Sequence, residues 1–353
     1  MATMQDVAQR AGVSLSTVSY ALNENRPISE ATRERVMQAI ADLGYTRNAA
    51  ARTLAGSRSH VLALVLPPAD AGLGATLGSF VSGAAAQAER YGYSLVVWPF
   101  ANEDSEKVGR LVRERLADGV LVMEVALRDA RIDALEKAGT PFTMIGRTGD
   151  LTGRSWVDID FDATVAEAID RLVALGHTHI ALINHSAAKI ESGYGAAVLT
   201  RDAFLAISQA RGLEVQHVPC EDTPLAGQAA VADVLNADPD TTAFITLNEM
   251  ATFGVVTELA RRGYAIPKDM SVFGIVTSPI ISAISYPPLT CLQAPGEAVG
   301  ATAVHELIEV LADEPRRDRP RLLTCLFDEG GSLATARPDS SNQVRKMASG
   351  PER

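Results

Sequence analysis

The sequence predicts an N-terminal all-α helix-turn-helix headpiece, followed by an α/β core of two doubly wound parallel-sheet lobes. Residues 1–46 place apolar residues at helical spacing between capping residues. From Ser57 onward, short apolar runs alternate with amphipathic helical segments, which is typical of parallel sheets with right-handed crossovers. At 353 residues and 47% hydrophobic composition, the chain is long enough for a sizeable core beyond the headpiece.

Capping residues delimit the first two helices. Thr3 can cap a helix from Met4 to Ala11, and Gly12 supplies a tight turn after it. Ser14 is a natural N-cap for a second helix from Leu15 to Leu22. Two helices joined by a glycine-containing turn form the helix-turn-helix unit, whose second helix lies in the major groove of DNA. The expected inward residues are Val7, Ala8, Ala11, Val18, Ala21 and Leu22.

A third helix and a short hinge segment complete the N-terminal region. The third helix is predicted from Ser29 to Gly44, and its inward residues, which close a three-helix core, are Val36, Met37, Ile40 and Leu43. Residues 48–56, NAAARTLAG, form a good helix sequence with an N-cap and a glycine terminator. Because so short a helix is not stable alone, we expect it to fold only against DNA and a partner copy.

The remainder of the chain predicts strands from its apolar runs. These runs are VLALVLP, SLVVWPF, GVLVME, FTMIG, HIALINH, AFITLN, MSVFGI and LLTCLF. In the first lobe they alternate with helices near residues 76–91, 103–117 and 129–139. Ligands of such folds bind at the carboxyl ends of the strands, which here face an interlobe cleft.

The chain resembles the LacI/GalR family of bacterial transcription regulators, which includes the lactose and purine repressors. The words that carry the resemblance are DVAQRAGVS, TVSYALN, RERVMQAIADLGY, NAAARTLA, DRLVALGHTHIALI, NEMATFGVV, IPKDMSVFGI and YPPLTCLQ. They span almost the whole chain, so together they are far more specific than a lone helix-turn-helix pattern.

The resemblance implies DNA-binding roles for residues of the second helix. Leu15, Ser16 and Tyr20 occupy the base-reading positions, and Thr17 and Asn23 help hold the DNA backbone. Leu15 offers only an apolar contact, suited to a thymine methyl group, whereas Tyr20 offers a ring and one hydroxyl.

The resemblance also assigns roles in the hinge. Asn48 and Ala51 would lie against DNA, and Leu54 matches the leucine that the family wedges between two central base pairs, bending the duplex. Arg52 is a further hinge residue expected near the DNA. The alternative for Leu54 is an ordinary buried leucine.

Charge is divided unevenly along the chain. Residues 1–60 contain seven arginines and five acidic residues, a net charge of +2, whereas the whole chain carries −11. The acidic body should repel DNA and leave contact to the head and hinge. Any single arginine could equally belong to a solvated face; the candidate phosphate neighbours are Arg10, Arg26, Arg33, Arg35, Arg47 and Arg52.

The resemblance implies that the lobes are like periplasmic sugar-binding proteins, with an effector in the cleft. The chain would cross between the lobes near Asp160, near Pro288 to Gln293 and near Arg321. Ligand and hinge would be coupled, because an effector with different affinity for two lobe orientations shifts the population between them.

The expected effector site departs from the family pattern at two positions. Thr200 stands where relatives commonly have an arginine, and Val276 where they have an aspartate. Asn248 is retained, and Arg147 and Gln293 could still point into the cleft. We therefore expect a carbohydrate or related metabolite that is less polar or differently anchored, or a weak effector response. The alternative is an ordinary sugar held by other residues.

Neither catalysis nor a cofactor is predicted. His177 and His179 could suggest a metal pair, but in this family LGH precedes a strand as a structural turn. The sequence contains no nucleophile elbow, Walker loop or Cys-x-x-Cys, and Gly72, Gly74 and Gly78 do not reproduce the Rossmann spacing. The three cysteines, Cys220, Cys291 and Cys325, are expected to be reduced thiols without a disulfide or metal role. The carboxylates Asp158, Asp160 and Asp162 are expected to be solvated or to cap helices.

The predicted organisation is a headpiece over 1–46, a hinge and linker over 47–59, an effector-binding and dimerisation domain over 60–336, and a disordered tail over 337–353. We expect a cytoplasmic protein without membrane contact, because signal-peptide and membrane-helix patterns are absent. We expect a homodimer, because the tail lacks the leucine heptads that would form a tetramer. The expected function is a repressor of a catabolic or transport operon that binds a palindromic operator. The alternative, a binding protein or enzyme with an incidental helical appendage, would have no use for residues 48–56.

Overall fold

The computed structural model describes residues 2–23, 27–45, 58–68, 74–100, 104–114, 116–314 and 321–337. Contacts divide the chain into two compact units, Met1–Ser59 and His60–Arg353. The predicted hinge helix, residues 48–56, lies outside the described residues, as does the tail beyond Arg337. Within the described part of the chain, every helix is too short or too polar to cross a membrane.

The first unit contains helices α1 (Met4–Ala11), α2 (Leu15–Asn23) and α3 (Glu30–Leu43). Thr3 and Asp6 form a reciprocal capping box at the start of α1, because each side chain accepts a hydrogen bond from the backbone N–H of the other. Both Gly12 and Gly44 end their helices in the left-handed conformation, which glycine adopts without steric cost. These helix ends are where the capping residues predict them.

The headpiece core differs from the sequence prediction at one position of α3. Val36 and Ala39 are buried, and Ile40 and Leu43 pack against the same cluster. Met37 is 52% exposed, so its placement in the core was wrong. Inward residues of a helix recur three and four positions apart, and Met37 is one position after Val36, about 100° around the axis.

Lobe 1 of the second unit is built on a six-stranded sheet in the order β11-β5-β4-β3-β1-β2. Its strands are all parallel and are β1 (Val61–Leu66), β2 (Ser94–Pro99), β3 (Gly119–Met123), β4 (Phe142–Ile145), β5 (Trp156–Ile159) and β11 (Leu322–Leu323). Its helices are α4 (Gly74–Arg90), α5 (Ser105–Arg113), α6 (Ala130–Lys137) and, from late in the chain, α13 (Gly296–Ala312).

Lobe 2 repeats this plan with the strand order β12-β10-β9-β8-β6-β7. Its strands are β6 (His179–Ile183), β7 (Glu214–Val218), β8 (Ala243–Thr246), β9 (Ser271–Thr277), β10 (Thr290–Gln293) and β12 (Leu326–Asp328). Its helices are α7 (Phe161–Ala174), α8 (Ala187–Glu191), α9 (Gly195–Ala210), α10 (Pro224–Ala237), α11 (Glu249–Arg261) and α12 (Pro279–Ile284). The predicted two-lobed α/β fold is confirmed.

The chain crosses between the lobes three times. The crossings lie at Asp160 between β5 and α7, at residues 294–295 between β10 and α13, and at residues 324–325 between β11 and β12. The run LLTCLF is therefore not one strand, because its halves join different sheets. In addition, β12 pairs antiparallel with β10. The prediction that both sheets are purely parallel is therefore wrong for lobe 2.

Three strands had no counterpart among the predicted apolar runs: β5, β7 and β10. The strand β7 contains Glu214, Gln216 and His217 and has no fully buried residue, because it lies at the edge of its sheet. A strand with one neighbour is covered on fewer sides, so apolar residues are not required along its length.

The predicted structural roles of His177 and the cysteines match the structure. His177 is buried, with Nδ1 2.8 Å from the Thr242 hydroxyl and Nε2 3.0 Å from the Ala334 carbonyl oxygen. His179 lies 2.8 Å from an Asp238 carboxylate oxygen. The buried free thiols are Cys220, Cys291 and Cys325. Both ring nitrogens of His177 are thus used within the protein.

Candidate DNA-binding surface and interlobe cleft

The start of α2 is organised around the Ser14 hydroxyl. Ser14 Oγ accepts a hydrogen bond from the Thr17 N–H at 3.2 Å and lies 2.8 Å from the hydroxyls of both Ser16 and Thr17. Leu15 is 49% exposed, and Tyr20 follows Ser16 by about one helical turn. An apolar side chain and two small hydroxyls are therefore presented at the N-terminus of the helix.

Several residues with expected DNA-binding roles fall outside the described part of the chain. These are the side chain of Asn23, which ends α2, together with Arg26, Arg47, Asn48, Ala51, Arg52 and Leu54. Among the candidate phosphate neighbours, Arg10 forms an ion pair with Asp42 at 2.8 Å, which ties α1 to α3. Arg10 therefore already has a partner within the headpiece.

Two of the expected effector residues are occupied by other protein groups. The Asn248 side chain is fully buried, its Oδ1 accepts from the Ala251 N–H, and its Nδ2 donates to the carbonyls of Cys220 and Glu221. Asn248 thus caps α11 and fastens the segment after β7, and no hydrogen is left for a ligand.

Gln293 has a similar structural use. Its Nε2 donates to Asp328 Oδ2 at 2.6 Å, which joins β10 to β12 beside two of the interlobe crossings. The Asn248 side chain is thus held by internal hydrogen bonds, and Gln293 uses one amide hydrogen for Asp328.

Thr200 and Val276, the positions that depart from the family pattern, are held in place by burial and by backbone conformation, respectively. Thr200 is fully buried in α9, and its hydroxyl has no hydrogen-bond partner among the described residues. Val276 has a φ of +52°, a strained conformation for a β-branched residue. It is the residue bypassed where the β9–β10 pairing shifts register, so it forms a bulge at the carboxyl end of β9.

Arg147 remains at the cleft. It follows β4, and its Nε lies 3.5 Å from Asp158 Oδ2 at the carboxyl end of the adjacent β5. Asp158 is buried and accepts a hydrogen bond from the Ile159 N–H. Burial raises the pKa of the Asp158 carboxyl to about 7, and the Arg147 charge opposes the shift only in part.

The sequence analysis missed a group of charged and aromatic residues on both sides of the cleft. Glu124 follows β3 in lobe 1, and its Oε1 lies 3.7 Å from the Nζ of Lys189 on α8 in lobe 2. The Lys189 ammonium also lies 5.4 Å from the centroid of the Tyr194 ring. Burial raises the pKa of the Glu124 carboxyl, with Lys189 opposing the shift.

Tyr194 and His185 pack against each other in lobe 2. Their rings meet edge to face with centroids 5.4 Å apart. Burial lowers the pKa of His185 to about 3, so the imidazole is neutral, and within the described part of the chain its Nδ1 has no hydrogen-bond partner. Burial raises the pKa of the Tyr194 phenol, with the nearby Glu124, Asp158 and Asp222 carboxylates adding to the shift.

These contacts describe a cleft lined by charged groups from both lobes. The two expected anchor positions hold no charge, but Glu124, Asp158, Arg147 and Lys189 supply it from other strand ends. The cleft therefore holds charged groups that the sequence analysis did not name. One signal could have located these residues: Glu124 directly follows the apolar run GVLVM, and carboxyl ends of parallel strands carry ligand sites.

Two family models match the chain in separate regions. The model "Bacterial regulatory proteins, lacI family" matches residues 3–48, and the model "Periplasmic binding protein-like domain" matches residues 169–333. Within the described residues, no cluster of three or more His, Cys, Asp or Glu side chains could hold a metal ion.

Similar proteins match over nearly the whole chain. The HTH-type transcriptional regulator CelR of Thermobifida fusca is 30% identical over 325 residues, which covers 88% of this chain and 92% of that protein. A CelR–cellobiose complex superposes with a TM-score of 0.68 at 26% identity, covering 94% of this chain and 100% of the other. The lac repressor dimer bound to operator and the anti-inducer ONPF gives a TM-score of 0.82 at 22% identity, covering 94% and 99%.

Proposed function

This chain belongs to the LacI family of bacterial regulatory proteins, and we propose that it is a dimeric repressor that binds a palindromic operator under the control of a small molecule. The observation that carries the proposal is the start of α2, where Ser14 holds the helix N-terminus while Leu15 and Ser16 are exposed. A recognition helix reads base edges with its N-terminal residues, and an exposed leucine there can contact a thymine methyl group.

The proposed DNA contacts extend from the headpiece to the hinge. Base reading falls to Leu15, Ser16 and Tyr20, and the DNA backbone is held by neighbouring residues of α2. The hinge, residues 47–59 between a headpiece of 1–46 and an effector domain of 60–336, would fold on the operator. Operator DNA lies in the bacterial cytoplasm, so the protein acts there.

A second copy of the chain is the proposed occupant of an exposed apolar surface on lobe 2. Ile280 and Ile284 on α12 are exposed, Tyr286 is 90% exposed, and Leu225 at the start of α10 is 74% exposed. The start of α12 lies beside the start of α11, because the Ser278 N–H before α12 donates a hydrogen bond to the Glu249 carboxylate on α11.

The close packing of α10 on α11 completes this surface. A Cβ on Gly254 of α11 would lie 1.9 Å from the Pro224 carbonyl oxygen. Large exposed apolar patches mark protein interfaces, and the operator-bound lac repressor is described as a dimer. Tyr286→Asp should therefore shift the chain from dimer to monomer in analytical ultracentrifugation. A dimer of unchanged affinity would place the interface elsewhere.

The proposed effector is a carbohydrate or related metabolite bound between the lobes. The CelR complex contains cellobiose, and carboxylates, a guanidinium and an aromatic ring are groups that bind sugar hydroxyls and faces. We place Glu124, Arg147, Asp158 and Tyr194 in contact with it, in preference to Asn248, whose hydrogen bonds are used within the protein.

Selection of bound sequences from a random duplex pool tests the DNA-binding role. The expected result is two inverted half-sites, whose consensus changes in Tyr20→His and in Leu15→Thr because these residues touch base edges. Met37→Ala, at an exposed position of α3, is the matched control and should recover the original consensus. An unchanged consensus in both α2 variants would remove Leu15 and Tyr20 from the reading surface.

A further inference from the structure

Two short segments pair across the interlobe cleft. Residues 125–127, which follow β3 in lobe 1, lie antiparallel to residues 193–195, which lead into α9 in lobe 2, with Ala126 opposite Tyr194. Both segments lie apart from the three covalent crossings at Asp160, 294–295 and 324–325. The lobes are therefore joined by backbone contacts as well as by the chain.

Two backbone hydrogen bonds make this pairing. The Leu127 N–H donates to the Gly193 carbonyl at 2.8 Å, and the Gly195 N–H donates to the Val125 carbonyl at 2.9 Å. Their donors belong to different lobes, so each lobe gives one hydrogen and accepts one. Separation of the lobes at this point would take both donors away from their acceptors.

The lobe 1 segment is held by a buried ion pair. Arg131 and Asp129 are both buried, with Arg131 Nη2 2.7 Å from Asp129 Oδ2. The same guanidinium nitrogen donates to the carbonyls of Met123 and Glu124, and the Asp129 carboxylate accepts from the Ala126 N–H. A hydrogen-bonded buried pair of this kind fixes backbone position, so the segment is presented in one conformation.

The lobe 2 segment depends on two glycines. Gly193 has a φ of +79°, a conformation that favours glycine, and the following Tyr194 N–H is bonded to the Lys189 carbonyl. Gly195 begins α9, and a Cβ there would lie 3.1 Å from the Val125 carbonyl oxygen. A side chain at 195 would therefore press on the Val125 carbonyl and push the two backbones apart by a few tenths of an ångström.

We propose that segments 125–127 and 193–195 form a clasp that holds the lobes closed and that breaks as a unit when they open. The clasp also brings together cleft side chains, because Glu124 precedes one segment and Tyr194 lies within the other. A ligand that displaces either side chain would act on the clasp. That last consequence rests on the proposed effector site, whereas the clasp itself does not.

Residue-resolved hydrogen exchange of the full-length protein, without DNA or effector, tests the clasp. In the wild type, the Leu127 and Gly195 amides should show equal protection because one opening event exposes both. In Gly195→Val, exchange of the Leu127 amide should rise by about tenfold or more, since the added side chain meets the Val125 carbonyl. Two amides bonded within one lobe serve as internal controls, Gly149 to the Leu127 carbonyl in lobe 1 and Tyr194 to the Lys189 carbonyl in lobe 2.

Gly149→Ala is the matched control variant. Its added Cβ would lie 3.6 Å from the Leu127 carbonyl oxygen, an ordinary contact, so Leu127 and Gly195 should stay protected. The clasp would be overturned if the Leu127 and Gly195 amides were unprotected in the wild type, or if Leu127 stayed fully protected in Gly195→Val. It would also be overturned if the Gly149 and Tyr194 amides lost protection together with Leu127 in Gly195→Val. The last result would indicate local unfolding in place of lobe opening.

Discussion

Glu124 and Lys189 meet across the interlobe cleft, with Glu124 Oε1 3.7 Å from Lys189 Nζ. Glu124 has a φ of +51°, a strained conformation for a residue other than glycine, and it directly precedes the clasp segment 125–127. Burial raises the pKa of its carboxyl, and the Lys189 ammonium is the largest opposing influence. The pair therefore joins a strained, poorly solvated carboxylate in one lobe to a cation in the other.

Lys189→Met should make stability depend more steeply on pH. The raised folded-state pKa of Glu124 costs stability as pH rises above the ordinary glutamate value of 4.5, and the cost is complete once pH exceeds the folded pKa. Removing Lys189 raises that pKa further. Because its side chain is 40% exposed and screened by water, the added cost at pH 8 should not exceed about 1 kcal/mol.

Urea unfolding at pH 5 and pH 8, at fixed protein concentration, measures this effect. Lys189→Arg keeps the charge and serves as the control. An identical pH slope in Lys189→Met and the wild type would mean that Glu124 and Lys189 do not interact in solution.

Asp158→Asn should flatten the pH dependence of stability. The folded-state pKa of Asp158 is about 7, above the ordinary 3.8, so the folded protein binds a proton that the unfolded chain has released between these values. Wild-type stability should thus fall as pH rises from 4 to 7, by at most about 4 kcal/mol from this group. Asparagine keeps the acceptor for the Ile159 N–H but does not titrate.

The comparison uses denaturant midpoints of both proteins at pH 5 and pH 8. Asp162→Asn changes an exposed carboxylate of the same segment and should keep the wild-type slope. Equal slopes for wild type and Asp158→Asn would show that Asp158 is solvated in the native protein.

Asn248→Ala should destabilise lobe 2 by about 1–3 kcal/mol, since it removes the N-cap of α11 and leaves two carbonyls without their donor. Asn248→Asp keeps the cap but sets a buried carboxylate oxygen against the two carbonyl oxygens, so it should be at least as unstable as the alanine variant. Thermal unfolding of the three proteins tests this order. A native melting curve for Asn248→Ala would return the residue to the candidates for ligand contact.

Gly300→Ala should disrupt the packing of α13 on α4. A Cβ on Gly300 would lie 2.1 Å from the Phe80 carbonyl oxygen, so the helices must separate, at a cost of about 1–3 kcal/mol or more. Gly78→Ala adds a Cβ to α4 where nothing lies within 4 Å and should preserve or slightly raise stability. If both variants melt alike, the close approach of α4 and α13 is absent in solution.

Local signals in the sequence predicted the headpiece and the alternation of the core. Thr3, Gly12, Ser29 and Gly44 act within a few residues of themselves, so their capping roles can be derived from sequence and agree with the structure. The apolar runs of the central strands are likewise local, because a strand buried on both faces needs apolar residues throughout.

Pairings between distant segments were decided by the tertiary structure alone. Leu322 and Leu326 stand in one apolar run, yet the first joins the lobe 1 sheet and the second the lobe 2 sheet, a choice that depends on which strand edge is open. Asn248 shows the same limit at the cleft, since its side chain is used by carbonyls that only folding brings near it.

The sequence by itself determined the fold class, the family and the helix-turn-helix headpiece, because caps, periodicity and motif words depend on neighbouring residues. Only the tertiary structure decided which charges face the cleft, as Glu124 and Lys189 come from strand and helix ends in different lobes. The physical reason is that burial and ion pairing depend on the distance between side chains in the folded protein. The number of residues between two side chains does not specify this distance when they lie in different lobes joined by three crossings.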